Sequence, residues 1–218
     1  LGIVIPELLP MRMNQKNPHH VYTVLEHSAA AVEAIPAEPS LRLAALLHDI
    51  GKPACFFTDE DGIGHFYGHP AVSAELAEKI LSRLKLDNAT KERVVTLVKY
   101  HDIMIENTEK SIKRILNRFS PEVFFQLLDL KRADCRAQHP DYAFRLPYYD
   151  ELQTLAERIL AEKQCFSLHD LAVNGRDLLA LGYKGKEIGI TLDELLEKVI
   201  SGELPNEKDI LLKSTEKR

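Results

Sequence analysis

Apolar residues recur along this chain with the period of an α-helix, and no segment alternates apolar and polar residues convincingly, as a half-buried β-strand does. The predicted helices cover residues 18–35, 41–50, 70–84, 90–101, 121–138, 148–163 and 192–200, with further helix starts at Ser167 and Asn174. Ser120-Pro121-Glu122, for example, places a cap, a proline and an acid at one helix start. The pattern therefore predicts an all-α fold with a turn-rich loop over residues 58–69.

The composition is that of an ordinary globular protein. Of the 218 residues, 45% are hydrophobic and 28% are charged, which is enough for one sizeable domain and excludes a disordered chain. We expect a helical domain over residues 1–163 and a smaller helical tail over residues 164–218. No run approaches the ~18 apolar residues of a membrane helix, so no membrane partner is expected.

The cysteines and the N-terminus indicate where such a protein works. Cys55, Cys135 and Cys165 are odd in number, far apart and in no CxxC pair, which is typical of a reducing cytoplasm. The N-terminus has no signal-peptide pattern, and the chain begins at Leu1 rather than at a methionine. We therefore expect a cytoplasmic protein and a piece of a longer one. The net charge of −5 argues against a surface that coats nucleic acid throughout.

The dipeptide His48-Asp49 lies at the end of the apolar helix over residues 41–50, which Gly51 is expected to close. A helix that is apolar on most sides is buried, and a buried charge without a partner costs several kcal/mol or more. A divalent metal ion would supply the partner, and imidazole with carboxylate suits Zn²⁺, Mn²⁺, Fe²⁺, Ni²⁺ or Co²⁺ better than Ca²⁺. The alternative is a hydrogen-bonded His-Asp pair that closes the helix without a metal.

Two further residues are candidates to join this pair. His27 lies 21 residues upstream on the preceding predicted helix, and a helical hairpin of that length can bring it against His48. Asp134 shares a helix face with apolar residues 4, 7 and 11 positions before it, whereas the rival acid Asp129 shares its face with charged residues. Asp134 is therefore predicted to face the core as a carboxylate that needs a cation.

This ordered set of a histidine, a His-Asp pair and a distant aspartate resembles the HD superfamily of metal-dependent phosphohydrolases. The resemblance implies an HD-domain helical bundle with metal ligands at His27, His48, Asp49 and Asp134. It further implies ligands for a second ion at His69 and His101, with Asp49 bridging the two ions. A capping or helix-dipole role is the alternative for these last two histidines.

The superfamily implies hydrolysis of a phosphoester by water, with a metal that lowers the pKa of bound water toward ~7. The metal would be Ni, Mn, Co, Zn, Fe or Mg. Asp49 and Lys52 would be the catalytic residues, since Lys52 lies about one turn beyond Asp49 and is placed to bind a phosphate oxygen. A surface lysine after a helix end is the alternative. The sequence has neither a GxSxG motif nor a P-loop, so water is the expected nucleophile.

Longer blocks of sequence resemble one branch of the superfamily. Residues 17–27, 41–52 and 65–69 look like the HD region of bacterial tRNA nucleotidyltransferases (CCA-adding enzymes) and related poly(A) polymerases, and residues 174–183, 185–189 and 199–206 are similar to the segment that closes many of them. These enzymes polymerise with an N-terminal head that has a Gly-Ser motif and paired carboxylates on a β-sheet. The sequence shows no such head, so this chain alone is not expected to add nucleotides.

The resemblance also implies partners: a phosphoester such as a nucleotide or an RNA 3′ end, and tRNA held by the helices. Lys184 and Lys186 precede a predicted helix start and are candidates for a phosphate contact, with an ordinary charged turn as the alternative. From Lys163 onward, the chain has nine basic and ten acidic residues, so the tail has no basic stripe. Two functions stay open: an active hydrolase, and a catalytically silent RNA-binding scaffold for a nucleotidyltransferase head.

Overall fold

A computed structural model describes residues 2–16 and 21–215 and confirms the all-α prediction. The α-helices in these residues are Val24–Ala34 (α1), Pro39–Leu47 (α2), Lys52–Cys55 (α3), His69–Arg83 (α4), Asn88–Tyr100 (α5), Glu109–Phe119 (α6), Pro121–Arg136 (α7), Leu146–Ala161 (α8), Gly175–Ala180 (α9), Lys186–Ile200 (α10) and Lys208–Thr215 (α11). Among them, none is long and apolar enough to cross a membrane.

The helices form two compact units. The first consists of the described residues up to Met104 together with Glu122–Asp150, and the second of Ile105–Pro121 together with the described residues from Glu151 onward. The boundaries of these units differ from the domain boundary predicted at Lys163. Compact units are not the same as separate domains, so the predicted domain boundary stays a prediction.

In the first unit, α2 packs against α1 and α5, and α5 packs against α4. The side chains of α2 explain this central place, because Leu41, Ala44, Ala45 and Leu47 are all buried. Small alanines let the neighbouring helices approach closely, and the leucines fill the space between them. The end of α2, where the His-Asp pair lies, is therefore inside the unit.

The second unit has its own apolar core, which consists of Cys165, Leu171, Val173, Leu178, Leu195, Leu196, Ile200 and Leu211. The predicted helix start at Asn174 is confirmed, because Asn174 and Asp177 form a capping box at the beginning of α9. The predicted start at Ser167 is wrong. Ser167 and Asp170 do hydrogen-bond like a capping box, but the residues that follow form only a turn.

Several element boundaries differ from the prediction. A hairpin of strands Phe57–Thr58 (β1) and Gly64–His65 (β2) begins one residue before the predicted loop over residues 58–69, and each strand is too short to show alternation. Helix α1 begins after a capping box of Thr23 and Glu26, whereas its predicted start at Pro18 lies outside the described residues, as do residues 17–20 in general. Helices α3 and α11 are additional to the predicted helices.

Gly51 follows the end of α2, but its backbone is not left-handed, since φ is −82°. The residue must be small for another reason: a Cβ atom there would lie 2.6 Å from Ser73 N and 2.8 Å from His69 O, both in α4. The Gly51 N–H also donates a hydrogen bond of 2.9 Å to Ser73 Oγ. The absence of a side chain at residue 51 therefore lets the His-Asp turn pack directly on α4.

Substituting Gly51→Ala should lower the free energy of unfolding by about 1–3 kcal/mol, because the new methyl group overlaps backbone atoms that cannot move without shifting α4. Equilibrium unfolding in urea measures this change. Gly189→Ala in α10 is the control, since Gly189 has open space at its Cβ position and alanine favours a helix. An unchanged stability of the Gly51→Ala protein would contradict the close approach described here.

Candidate metal centre

The first unit brings together all six residues that were predicted as metal ligands. They come from α1, from the end of α2, from the first residue of α4, from the end of α5 and from the last turn of α7. Their donor atoms form two groups, each within 4.8 Å: His27, His48 and Asp134, and then Asp49, His69 and His101. Side chains up to 107 residues apart in sequence thus meet at one place. Their role as ligands stays a prediction.

Each of the four imidazole rings is oriented by a hydrogen bond between its Nδ1 atom and a backbone carbonyl oxygen. The distances are 3.1 Å for His27 and Ala137, 2.8 Å for His48 and Ala45, 2.9 Å for His69 and Phe66, and 2.7 Å for His101 and Val98. A carbonyl oxygen only accepts, so Nδ1 carries a proton and Nε2 is directed at the other candidate ligands. Metal-ligating histidines are typically held in this way. We call the six candidate ligands the cluster.

The ends of two helices explain this orientation. His48 and His101 are the residues that directly follow α2 and α5, and their rings fold back on carbonyls of the last helical turn. Those carbonyls have no partner within the helix, so each helix end needs the donor that the histidine supplies. A histidine at a helix end therefore satisfies the backbone and aims Nε2 outward at the same time.

Asp49 lies between the two pairs of histidines. Its Oδ2 atom is 3.1 Å from His48 Nε2 and 3.4 Å from His27 Nε2. Its Oδ1 atom is 3.2 Å from His69 Nε2 and 3.8 Å from His101 Nε2. One carboxylate oxygen thus faces each pair, which is the geometry expected of a bridging ligand.

Within each pair, the two Nε2 atoms are close: 3.3 Å for His27 and His48, and 3.2 Å for His69 and His101. Asp134 completes the first pair, with Oδ1 at 2.8 Å from His27 Nε2 and 3.6 Å from His48 Nε2. Two neutral Nε2 atoms at this distance direct lone pairs at each other, so each pair favours a shared cation, whether a proton or a metal ion.

Asp49 is 1% exposed, and its Oδ2 atom is buried without a hydrogen bond of acceptable geometry, although Lys52 Nζ lies 2.7 Å away. Burial raises the pKa of Asp49, but the charges of His48 and Lys52 outweigh it and hold that pKa well below its usual range. An ionised carboxylate that is buried between imidazole nitrogens favours cations beside it, and Lys52 supplies only one. The donor set of this site therefore fits a divalent metal ion.

The charges of the site act on the histidines as well. Burial disfavours a charge on His48, but Asp49 and Asp134 outweigh burial and raise the pKa of His48 to about 10. Burial, together with the charge of His48, lowers the pKa of His101 to about 3. Burial also raises the pKa of Asp134, but its contacts with His27 and His48 hold that pKa well below its usual range. Positive charge is thus favoured at His48, and His101 is in the neutral form that binds metals.

Lys52 is 6% exposed, and its Nζ atom donates a hydrogen bond of 2.9 Å to Gln15 Oε1 besides contacting Asp49. Its ammonium group also lies 5.2 Å from the centre of the Phe66 ring. These contacts fix Lys52 as a neighbour that orients Asp49, while its predicted contact with a substrate phosphate stays a prediction. Gln15 was not predicted, because nothing in the sequence links a glutamine before α1 with a lysine 37 residues later.

A second glutamine was also missed. Gln138 Nε2 donates a hydrogen bond of 3.2 Å to Asp134 Oδ2, whereas the two histidines are close to Oδ1. Gln138 therefore helps to orient the carboxylate. The spacing of four residues from Asp134 is a signal that could have identified it, since side chains four apart share a helix face.

The cluster opens into a cleft of about 310 Å³. Asp49, His69, His101 and Asp134 line it, and so do residues 64–68, which include the hairpin strand β2. Its volume lies at the lower end of the range of ~300–1,000 Å³ for small-molecule sites. The candidate ligands are therefore within reach of a small molecule.

The predicted phosphate contacts Lys184 and Lys186 lie in the second unit, on either side of Gly185, where α10 begins. Both lysines are exposed. Their contact with RNA or phosphate stays a prediction.

Comparison with known proteins indicates a family. Residues 59–215 match the family described as tRNA nucleotidyltransferase domain 2. The chain is 33% identical to the A-adding tRNA nucleotidyltransferase of Deinococcus radiodurans, over 94% of this chain and 49% of the relative. It is 30% identical to the CC-adding tRNA nucleotidyltransferase of Thermus thermophilus, over 96% of this chain and 48% of the relative. It is 26% identical to the Multifunctional CCA protein of Cupriavidus metallidurans, over 83% of this chain and 39% of the relative.

The chain spans about half the length of the first two relatives. The family match includes three of the candidate ligands, His69, His101 and Asp134. Because this match covers well over half of the chain and two relatives share at least 30% identity over more than nine-tenths of it, the chain belongs to the tRNA nucleotidyltransferase family.

Proposed function

We propose that this chain is the C-terminal HD-domain part of a tRNA nucleotidyltransferase-like or poly(A) polymerase-like protein, and that it acts as a metal-dependent phosphohydrolase or phosphodiesterase. One observation carries the proposal: four imidazoles, each with Nδ1 bound to a backbone carbonyl, direct Nε2 at a shared buried aspartate. A network that served stability alone would not need two pairs of Nε2 atoms 3.2–3.3 Å apart.

The donors divide between two ions. The first ion would be held by His27, His48 and Asp134 with Asp49 Oδ2, and the second by His69 and His101 with Asp49 Oδ1. Imidazole nitrogens outnumber carboxylates in this set, which favours Ni, Mn, Co, Zn or Fe over ions that prefer oxygen ligands, such as Ca.

When bound, divalent ions at these donors supply hydroxide near neutral pH and neutralise the charge that develops on phosphoryl oxygens. The residues of the chain keep the donors in place. Lys52 holds the Asp49 carboxylate so that one oxygen faces each histidine pair, and Gln138 holds Asp134 from the far side. The cleft then gives a phosphoester access to the donors from one direction.

The first prediction from this proposal concerns Asp134, the proposed metal ligand on α7. Asp134→Asn should weaken the binding of Mn²⁺, Ni²⁺ or Co²⁺ by about 100-fold or more, because the loss even of a residue that only orients a ligand typically costs ~10–100-fold. Calorimetric titration of chelator-treated protein measures the affinity. Asp129→Asn is the matched control, since Asp129 lies on the same helix and contacts Arg132 rather than the cluster. Equal affinities of the two variants would contradict the assignment.

The second prediction concerns the number of ions. The protein should bind two ions per chain, and the double substitution His69→Asn with His101→Asn should leave one, because the group of His27, His48 and Asp134 stays intact. Elemental analysis after gel filtration gives the stoichiometry. A single ion in the unsubstituted protein would show that the second group is not a metal site.

The third prediction concerns activity. The metal-loaded protein should hydrolyse 2′,3′-cyclic nucleotides or p-nitrophenyl phosphoesters, and Asp49→Asn should lower kcat by at least about 1,000-fold, because both groups lose their shared ligand. Release of product is measured with and without added Ni²⁺, Mn²⁺ or Co²⁺, with Asp129→Asn again as control. Circular dichroism establishes that each variant is folded. A metal-loaded protein without turnover of any of these esters would refute the hydrolase.

The alternative function is a catalytically silent RNA-binding scaffold that supports a nucleotidyltransferase head. The names of the relatives favour it, because they describe enzymes that act on tRNA. A gel shift with tRNA at low salt separates the two functions. Binding of tRNA without turnover would support the scaffold, whereas turnover without binding of tRNA would refute it.

A further inference from the structure

Three aromatic side chains form an exposed cluster on one face of the β1–β2 hairpin. Phe57 and His65 are opposite each other in the two strands, and Tyr67 follows His65 by two residues. The ring centres are 5.3 Å apart for Phe57 and His65, 5.4 Å for His65 and Tyr67, and 5.7 Å for Phe57 and Tyr67. The planes of Phe57 and Tyr67 are tilted by only 28° and 20° from that of His65. We call these three residues the aromatic platform.

The platform exposes a large aromatic surface, since Tyr67 is 75% exposed and Phe57 is 46% exposed. Exposed aromatic rings that lie together typically mark a binding surface, because single exposed rings are common but groups of them are not. Near-parallel rings also offer flat faces to a flat ligand.

Hydrogen bonds hold the platform in place. His65 Nε2 lies 2.6 Å from Asp59 Oδ2, and Asp59 Oδ1 accepts from the backbone N–H groups of Asp61 and Ile63 within the hairpin turn. The Gly64 N–H donates to Lys16 O at 2.7 Å, which fixes the hairpin to the segment before α1. A Cβ atom at Gly64 would lie 2.0 Å from Gln15 O, so only glycine permits this approach.

The platform also adjoins the cluster of candidate ligands. His65 and Tyr67 line the same cleft as Asp49 and His69, and only Gly68 separates Tyr67 from His69 in the chain. A ligand whose phosphoester lies at Asp49 and His69 can therefore place a second group against Tyr67. The chemistry of the two places differs, since cations at the cluster attract phosphate and the aromatic faces attract a flat ring.

We propose that the aromatic platform stacks the base of a nucleotide whose phosphoester lies at the cluster of candidate ligands. The inference rests on the proposed function, which assigns the phosphoester to the cluster. Stacking on aromatic side chains tolerates every base, because each base has a π-face. The platform thus selects for the presence of a base and not for its identity.

A binding experiment tests this without turnover. The metal-loaded protein is titrated calorimetrically with the phosphonate analogue of adenosine 5′-monophosphate, in which a CH₂ group replaces the ester oxygen, and with the matching analogue of ribose 5-phosphate, which has no base. The adenosine analogue should bind about tenfold more tightly, in line with stacking of one base. Equal affinities of the two ligands would overturn the proposal.

Substitutions locate the base. Tyr67→Leu should remove the preference for the adenosine analogue, because leucine is apolar but not flat, whereas Tyr67→Phe should keep it. Phe57→Leu is a second variant with the same expected loss. Phe144→Leu is the matched control, since Phe144 is 71% exposed and is not part of the platform. A preference that survives in both Tyr67→Leu and Phe57→Leu would place the base elsewhere and overturn the proposal.

The outcomes separate this inference from the proposed function. A protein that prefers the adenosine analogue but hydrolyses nothing would support the platform and refute the hydrolase. A protein that hydrolyses phosphoesters but binds both analogues equally would support the hydrolase and refute the platform.

Discussion

The carboxylate of Asp49 is the group on which the candidate site depends. It is buried between two pairs of histidines, faces one pair with each oxygen and contacts the Lys52 ammonium. Removing an ionised carboxylate from water costs several kcal/mol, so the surrounding cationic groups must compensate for its burial. The charges of Asp49 and Asp134 outweigh burial and raise the pKa of His48 to about 10, which favours a positive charge beside the carboxylate.

The helical fold meets this demand through its helix ends. The last carbonyls of a helix lack partners inside it, and the histidines that follow α2 and α5 donate Nδ1–H to them. The same bonds direct the Nε2 atoms of His48 and His101 at Asp49. The same hydrogen bonds thus supply donors to the backbone carbonyls and orient the two candidate ligands. Because α2 packs against α1 and α5, the end of α2 that carries His48 lies inside the first unit.

Much of the site could be predicted because its residues leave local signals. The His48-Asp49 pair, the helix before it and the apolar face of α7 identified His27, His48, Asp49 and Asp134, and the face of α7 selected Asp134 over Asp129, which contacts Arg132 instead. The resemblance to the HD superfamily added His69 and His101. The supporting contacts could not be predicted in the same way. Gln15 contacts Lys52 across 37 residues. Phe57 and His65 lie on strands of only two residues, which are too short for a period of two to appear.

The sequence by itself determined the all-α class and identified the histidines and aspartates that are candidates for ligands, because periodicity, caps and the His-Asp pair are properties of neighbouring residues. Only the tertiary structure decided that Asp49 faces two separate pairs, that Gln15 contacts Lys52 and that Gly51 must be small. It also decided that His65 and Tyr67 of the aromatic platform line the same cleft as Asp49 and His69. The physical reason is that these contacts join residues far apart in the chain, and their distances depend on how helices pack.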